Sequence, residues 1–267
     1  MNIVDRAPIC GLFSCPACLC RLDLNAARSD CSNCGAKFLR EGKVVDFLPQ
    51  ISPPNGLGIF YVQDPLLVAR YEVLLRPAFL KIMGSNWSNT ITEKDEHDYL
   101  RAHVCPAGGP VLDLACGAGR WTLTLVDMFG PENVVGLDVS KAMTEKFTSN
   151  LPNVCIARAN ATALPYSTGH LGAINCWNAF QLLPDPWGAL SEMARVIAND
   201  GTLTLFTYRT ASRPLQRYFQ LRHEAAFNVR AFHEDTLRNK MLAAGFEISD
   251  WQAINTFLFV TAKRARA

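Results

Sequence analysis

The stretch VLDLACGAGRWTLTL, residues 111–125, predicts a buried strand, a glycine turn and a helix, in that order. Gly117 and Gly119 stand between the two elements and form the turn into the helix. Backbone N–H groups at the start of such a helix can approach a ligand closely. The stretch therefore predicts a ligand site at the carboxyl end of the first strand of a parallel sheet.

From Val111 onward, short apolar runs alternate with amphipathic helical patterns, as is typical of a doubly wound sheet. The predicted strands are VLDLAC, VVGLDV, VCIARAN, GAINCWNAF, GTLTLFTY, FEISDWQA and TFLFVTAKR. The predicted helices are RWTLTLVDMF, KAMTEKFTSN, PWGALSEMARVIA and HEDTLRNKMLAAGF. The sequence thus predicts an α/β fold with a mostly parallel, doubly wound, seven-stranded sheet.

Two carboxylates flank the glycine turn and indicate the kind of ligand. A dinucleotide fingerprint needs a third small residue three positions after Gly119, where this chain has Thr122. Asp113 in the strand would repel a pyrophosphate, but it suits a ligand with an ammonium group and a sulfonium. Asp138 ends the next strand in GLDVS, where an acid can accept both ribose hydroxyls. S-adenosylmethionine is such a ligand, and Gly117 and Gly119 would let the backbone approach it.

Residues from about 105 to 264 resemble the class I S-adenosylmethionine-dependent methyltransferases. They are most similar to the small-molecule branch that includes ubiquinone- and menaquinone-methylating enzymes. Besides the glycine turn and GLDVS, the stretches ANATALPYSTGHLGAI and NAFQLLPDPWGALSEMARVIANDG carry the resemblance. It implies the class I methyltransferase fold and methyl transfer by in-line displacement. One departure is Gly172, where the family usually has an aspartate before the fourth strand.

The same resemblance implies further cofactor and substrate contacts. Asn160 stands where the family usually has an acid, and it would bond the adenine edge together with the backbone N–H of Ala161. Met143 matches the apolar residue that packs against the adenine ring, with a plain core role as the alternative. Asn178 is implied near the cofactor, and Gln181 near the substrate.

Three polar side chains are candidate catalytic groups on the acceptor side: Gln181, Tyr208 and His223. Tyr208 ends the fifth strand, at the edge where open sheets bind ligands. His223 lies in the insertion RTASRPLQRYFQLRHEAAFNVRAF, residues 209–232, which is long enough to form a helical lid. A structural role is the alternative for this histidine. A general base is optional, because the need for one depends on the pKa of the acceptor.

The stretch CPACLCRLDLNAARSDCSNCG, residues 15–35, contains two Cys-x-x-Cys pairs. Four thiolates so spaced can surround a Zn²⁺ ion tetrahedrally at about 2.3 Å. Gly35 follows the second pair and can take the positive φ that a tight turn needs. No βαβ pattern precedes the pairs, as a thioredoxin-like redox motif would require. We predict a structural zinc site formed by Cys15, Cys18, Cys31 and Cys34, with Cys20 and Cys10 as alternative ligands.

Composition limits the remaining possibilities. The 267 residues include 26 basic and 24 acidic side chains, so a net charge of +2 provides no general attraction to phosphate backbones. No apolar run approaches the roughly 20 residues of a membrane span, and no cleavable signal peptide is visible. We therefore expect a cytoplasmic protein without a membrane span. The predicted parts are a zinc ribbon (1–48), a linker (49–58), a helical cap region (59–104) and an S-adenosylmethionine-binding methyltransferase domain (105–267) with the lid insertion 209–232.

The ribbon leaves a second function open. A four-cysteine ribbon ahead of this fold resembles bacterial ribosomal RNA guanine-N1 methyltransferases, through LFSCPACLCRLD and KVVDFLP, and this resemblance implies a grip on RNA. The ribbon's basic residues are interleaved with acids, which is a thin footprint for RNA; they are Arg21, Arg28, Lys37, Arg40 and Lys43. We expect methyl transfer to a small aromatic or apolar metabolite, with RNA methylation and a non-catalytic scaffold as alternatives. The sequence makes no prediction about oligomeric state.

Overall fold

A computed structural model of the chain describes residues 13–24, 28–48 and 91–266, together with Leu66 and Arg70. The predicted linker and most of the cap region lie outside these residues. The described strands are β1 (Arg28–Asp30), β2 (Lys37–Glu41), β3 (Val44–Asp46), β4 (Val111–Leu114), β5 (Val134–Asp138), β6 (Cys155–Arg158), β7 (Leu171–Trp177), β8 (Ile197–Tyr208), β9 (Phe246–Ile254) and β10 (Phe257–Arg264). The described α-helices are α1 (Glu93–His103), α2 (Arg120–Phe129), α3 (Lys141–Asn150), α4 (Pro186–Val196), α5 (Pro214–Phe227) and α6 (Glu234–Ala243), with a 3₁₀ turn at Phe180–Leu182.

All ten described strands form one sheet in the order β1-β2-β3-β6-β5-β4-β7-β8-β10-β9. The six strands β3-β6-β5-β4-β7-β8 are parallel to one another, whereas β10 is antiparallel to both β8 and β9. The seven strands from β4 to β10 confirm the predicted doubly wound α/β fold. The strand order reverses between β4 and its two neighbours β5 and β7, and open sheets bind ligands at such a point.

Several helices begin where the sequence provides a cap. Thr92 and Asp95 form a reciprocal capping box at α1, and Ser140 accepts a hydrogen bond from the N–H of Met143 at α3. Asp185 caps α4 through the N–H of Gly188 at 2.9 Å. Helix α2 follows the glycine turn without a side-chain cap, so its first N–H groups point toward the carboxyl edge of the sheet.

The amino-terminal ribbon extends the main sheet. Strand β2 is antiparallel to both β1 and β3. Strand β3 pairs in parallel with β6 in the register Val44 to Ile156. The rings of Phe13, Phe47 and Tyr166 adjoin, with centroids 5.3 Å apart in the Phe13–Phe47 and Phe13–Tyr166 pairs. The ribbon therefore shares the hydrophobic core of the methyltransferase-like part. The sheet has three strands more than the seven predicted.

No described helix is long and apolar enough to cross a bilayer.

Candidate functional site

The turn between β4 and α2 alternates in handedness. Ala115, Gly117 and Gly119 have φ values of 56°, 55° and 90°. A Cβ on Gly119 would lie 2.7 Å from a methyl carbon of Leu151 and 3.0 Å from the Phe147 ring, so this glycine is required by packing as well as by φ. A Cβ on Gly117 would meet only the sulfur of Met143, at 3.8 Å, so its conformation rather than crowding requires glycine.

Asp138 connects two loops of the site. Its Oδ2 accepts the N–H of Gly117 at 2.9 Å, and its Oδ1 accepts the N–H of Ser140 at 2.8 Å. The side chain is buried, and loss of hydration raises its pKa although both N–H donors oppose the shift. Each carboxylate oxygen keeps a second lone pair. Asp138 thus holds the glycine turn in place while retaining acceptor capacity for a pair of hydroxyls.

Asp113 lies deeper, under the glycine turn. Thr122 donates its hydroxyl to Oδ2 at 2.5 Å, and Asn175 donates its amide to Oδ1 at 2.7 Å. Burial raises the pKa of Asp113 to about 6, and the negative charge of Asp138 acts in the same direction. A cation at this end of the sheet would relieve both effects. Asp113 therefore acts electrostatically and as an anchor, with its oxygens already bonded to protein groups.

Sequence reasoning missed the partners of Asp113. Asn175 lies in the middle of β7, and its own Oδ1 accepts the hydroxyl of Thr204 on β8 at 3.0 Å. A buried polar chain thus links Thr122, Asp113, Asn175 and Thr204 across three neighbouring strands and helix α2. The signal in the sequence was one polar residue, Asn175, inside the otherwise apolar β7, and the alternating threonines Thr202 and Thr204 of β8.

The residues predicted to contact the adenine lie next to the glycine turn, after strands β5 and β6. Met143 is buried with Ala118 against the glycine turn. Asn160 is exposed in the loop after β6, where its Oδ1 accepts the N–H of Thr162 at 3.0 Å, while Ala161 beside it is buried. The described geometry brings these side chains to the edge where β5 and β6 end.

Asn178 and Gln181 form a bridge after β7. Asn178 is left-handed, with φ 54°, and its Oδ1 accepts the side-chain amide of Gln181 at 3.0 Å. Gln181 is buried, and its Oε1 accepts the hydroxyl of Thr207 at 3.0 Å. Both ends of the Gln181 amide are therefore bonded to the protein, which fits a positioning role as well as the predicted substrate contact.

Tyr208, at the end of β8, lies near His223 of the lid insertion. The lid insertion forms helix α5, as predicted, and it returns to the sheet through the N–H of Phe232, which donates to the carbonyl of Tyr208 at 2.9 Å. The ring centroids of Tyr208 and His223 are 6.3 Å apart, and those of His223 and Phe227 are 4.7 Å apart. Burial lowers the pKa of His223, so the imidazole is neutral near pH 7.

The four predicted cysteine ligands are brought together. Their sulfur atoms lie within 4.8 Å of one another, with 3.6 Å between Cys15 and Cys34 and 3.5 Å between Cys18 and Cys31. Tetrahedral zinc at 2.3 Å requires sulfur–sulfur edges of about 3.8 Å, so the thiols fit this ion. The sulfur of Cys20 lies instead 3.9 Å from the hydroxyl of Ser32. Cys10 lies outside the described residues.

The whole site fits a cationic adenosyl ligand. A left-handed glycine turn leads into α2, two buried carboxylates lie beside it, and an apolar wall adjoins the turn. The pyrophosphate of a dinucleotide would be repelled by the negative charges of Asp113 and Asp138. The donor set thus favours a sulfonium compound over a dinucleotide.

Comparison with known proteins agrees with this geometry. Residues 111–201 match a family model described as a methyltransferase domain. The chain is 27% identical over 180 residues to a demethylmenaquinone methyltransferase of Staphylococcus epidermidis, covering 64% of this chain and 72% of that one. It is 23% identical over 281 residues to an uncharacterised chloroplastic methyltransferase of Arabidopsis thaliana, covering 95% of this chain and 78% of the relative.

Solved structures show the same fold. The geranyl diphosphate C-methyltransferase of Streptomyces coelicolor A3(2), in complex with S-adenosyl-L-homocysteine, superposes with a TM-score of 0.58 at 15% identity, covering 65% of this chain and 81% of that one. The [4+2]-cyclase SpnF superposes with a TM-score of 0.57 at 16% identity, covering 77% and 98%. The fold alone therefore does not dictate the reaction. The sequence matches, the sheet topology and the glycine turn together identify this chain as an S-adenosylmethionine-dependent methyltransferase with the class I fold.

Proposed function

We propose that the enzyme methylates a small, apolar, ring-bearing acceptor that binds between the glycine turn and the lid. The carrying observation is that the tips of β4 and β8 share one edge of the parallel sheet, with the lid helix α5 packed over Tyr208. The demethylmenaquinone methyltransferases among the relatives support an acceptor of the quinol class.

On the cofactor side, the chain's own residues bind and orient. We assign Asp138 to the ribose hydroxyls, Asp113 to electrostatic attraction of the amino-acid end, and Met143 with the Asn160–Ala161 loop to the adenine. The bound cofactor supplies a methyl group on a positively charged sulfur. The protein's contribution is to hold this methyl in line with the acceptor and to exclude water.

On the acceptor side, His223 is the candidate base. Its neutral imidazole can accept the proton that a hydroxyl or ring carbon of the acceptor loses as the methyl is transferred. The rings of Phe227 and Tyr208 lie tilted beside it and would contact an apolar ring. Gln181 and Asn178 position the loop that faces this space.

We also propose that the ribbon holds a structural zinc ion through Cys15, Cys18, Cys31 and Cys34. Four cysteine ligands close the coordination shell and leave no position for catalysis. The domain division at residues 48, 58 and 104 and a cytoplasmic location remain predictions. Metal analysis of freshly purified protein should find about one zinc per chain.

The position of the ribbon weighs against the RNA alternative. Five strand spacings of about 4.8 Å separate β3 from β8, so the ribbon lies about 24 Å from the lid side of the sheet. One of its basic side chains is also used internally, because Arg40 donates to the carbonyls of Leu24 and Gly42. A grip on RNA by this ribbon would thus act far from the proposed acceptor space.

The deciding experiment is methyl transfer from labelled S-adenosylmethionine to three kinds of acceptor: a demethylated naphthoquinol, a water-soluble phenol and ribosomal RNA fragments. We expect label on the quinol class, and loss of at least about tenfold in kcat for His223→Ala. Label on RNA alone would establish the alternative function. Calorimetric binding of S-adenosylhomocysteine without turnover on any acceptor would instead support the scaffold.

Asp138→Ala tests the assignment of Asp138 to the cofactor. The substitution removes the ribose acceptor and the bond to Gly117, so the affinity for S-adenosylhomocysteine should fall at least about tenfold. Asp200→Ala is the matched control, because that carboxylate pairs with Arg266 at the far surface. If the two variants bound S-adenosylhomocysteine with equal affinity, Asp138 would not be a cofactor-binding residue.

A further inference from the structure

Helix α5 has its polar face turned inward and its apolar face turned outward. The inward face carries Gln216, Arg217, Gln220, His223, Glu224 and Phe227. The outward, exposed face carries Pro214, Leu215, Tyr218, Phe219, Leu221, Arg222, Ala225 and Ala226. Leu215, Tyr218 and Phe219 are 54%, 57% and 54% exposed. An ordinary surface helix has the opposite arrangement.

Hydrogen bonds fix this orientation. Gln220 is buried, its Oε1 accepts the N–H of Ala211 at 2.9 Å, and its amide donates to the carbonyl of Arg209 at 2.7 Å. Arg217 pairs with Glu224 at 2.6 Å on the same inward side. Rolling the helix over would bury the apolar side chains but would break both bonds of the buried Gln220 to residues outside the helix, which are costly to lose.

The lid insertion is also where the positive charge of the chain concentrates. Residues 209–230 contain five arginines and one glutamate, a net charge of +4, whereas the whole chain carries +2. Arg222 lies within the outward face, and Arg213 is exposed at the start of the helix. The only acid of this segment, Glu224, faces inward. The outward face is thus apolar and cationic with no acidic residue.

This face is too small to hold a second protein chain firmly by itself. Leu215, Tyr218, Phe219 and Leu221 each expose about half of a side chain, which amounts to about 400 Å² of mainly apolar surface. A stable protein interface buries about 800 Å² on each partner. Aromatic and leucine side chains flanked by arginines are typical of a helix that lies in the headgroup layer of a bilayer.

We propose that α5 docks the lid on an anionic lipid surface. Tyr218 and Phe219 enter the headgroup boundary, and Arg213 and Arg222 contact lipid phosphates. Docking would bring the space above Tyr208 and His223 to the surface from which a lipid-soluble acceptor enters. That consequence rests on the proposed function, whereas lipid binding by the helix does not.

Vesicle sedimentation tests the proposal without any acceptor. The wild-type protein should bind vesicles that contain phosphatidylglycerol and bind phosphatidylcholine vesicles much more weakly. Tyr218→Ser with Phe219→Ser should weaken binding at least about tenfold, and Arg222→Ala about fivefold. The control is Leu242→Ser, an isolated residue on α6 that is 51% exposed, which should leave vesicle binding unchanged.

Binding of S-adenosylhomocysteine provides an independent readout that all of these variants should retain. Absence of binding to anionic vesicles by a protein that still binds this compound would overturn the docking proposal and leave the proposed function standing. A dimer in solution that Phe219→Ser dissociates would also overturn it, because the face would then belong to a second copy of the chain.

Discussion

The two cysteine turns of the ribbon, Cys15–Leu19 and Cys31–Gly35, have the same backbone conformation at corresponding positions. In each, the N–H of the fourth residue after the first cysteine donates to the carbonyl of that cysteine, from Leu19 to Cys15 and from Gly35 to Cys31, both at 2.8 Å. In each, that fourth residue is left-handed, with φ 60° at Leu19 and 73° at Gly35. Glycine adopts this conformation freely, whereas leucine does so under strain.

Leu19→Gly should therefore stabilise the zinc-loaded protein. Leu19 is exposed, so the substitution removes the strain with little loss of packing, and we expect a gain of about 1 kcal/mol in the free energy of unfolding. Denaturant unfolding with constant zinc measures this. Gly35→Ala, at the equivalent position, should lose a similar amount, and a loss of stability in Leu19→Gly would refute the argument.

The raised pKa of Asp113 predicts a pH dependence of cofactor binding. With a pKa of about 6 in the free protein, Asp113 is ionised at neutral pH and takes up a proton as the pH falls below that value. Because a cationic ligand favours the ionised form, its affinity should be constant above about pH 7 and should fall by up to about tenfold per unit below pH 6. Calorimetry with S-adenosylmethionine across this range measures the slope.

Asp113→Asn is the matched variant. It should bind the cofactor more weakly at neutral pH and should show a flatter profile, since the titrating group is gone. Asp138 is buried too, and its pKa is also raised, so some slope should remain in this variant. An unchanged profile would place the titration elsewhere.

Backbone conformation could be predicted where glycine signalled it and not elsewhere. Gly35 has the predicted positive φ, and Gly117 and Gly119, which the sequence predicts to form a turn, have a positive φ as well. Ala115 is left-handed without any glycine to indicate it. The family's missing aspartate also has a local explanation, because a Cβ on Gly172 would lie 2.8 Å from the carbonyl oxygen of Gly109. The loop before β4 occupies that space.

At the scale of elements, Arg158 ties the ribbon to the cofactor loops. It ends β6, pairs with Asp46 of β3 at 2.9 Å and donates to the carbonyl of Leu48 at 2.7 Å. Its Nε donates to the carbonyl of Val139 at 3.2 Å, one residue after Asp138. One largely buried guanidinium thus connects the strand that leaves the ribbon with the loop that follows Asp138.

Arg158→Gln should loosen both connections. We expect a loss of about 2 kcal/mol in the free energy of unfolding, because hydrogen bonds to a charged group are removed. The affinity for S-adenosylhomocysteine should also fall several-fold, since the loop after Asp138 loses a support. Asp46→Asn is the control, because it affects the ribbon side alone and should leave cofactor affinity unchanged. If Arg158→Gln and Asp46→Asn changed the affinity equally, Arg158 would have no specific role in supporting the loop after Asp138.

Strands and helices after Val111 follow from hydrophobic periodicity, since each is a local pattern of ten or so residues. The pairing of β3 with β6 does not follow from such a pattern. Strand β3 has three residues, Val44–Asp46, and its partner lies more than a hundred positions away along the chain. A short strand with a distant partner leaves little signal in the sequence. The same holds for the buried chain from Thr122 to Thr204, whose polar members are far apart until the strands align.

At the scale of the whole molecule, the ribbon and the lid lie on opposite sides of the proposed cofactor site. The ribbon continues the sheet beyond β6, next to the predicted adenine loop, where the N–H of Ser14 donates to the carbonyl of Pro165 at 2.9 Å. The lid adjoins the end of β8, where His223 lies near Tyr208 and the N–H of Phe232 donates to the carbonyl of Tyr208. In the proposed function, this separation places the zinc ion on the cofactor side and leaves the acceptor side to α5.

Zinc removal should therefore affect the whole molecule. Because β3 is a strand of the common sheet and Phe13 and Phe47 lie in the common core, we expect unfolding in one transition, with Tm lowered by roughly 10 °C after treatment with a strong chelator. The affinity for S-adenosylhomocysteine should fall in the same preparation. Cys31→Ser should reproduce both effects, whereas Cys20→Ser should reproduce neither, since its sulfur lies outside the cluster. A separate early transition, with the main transition and the affinity unchanged, would show that the ribbon is only appended to the sheet.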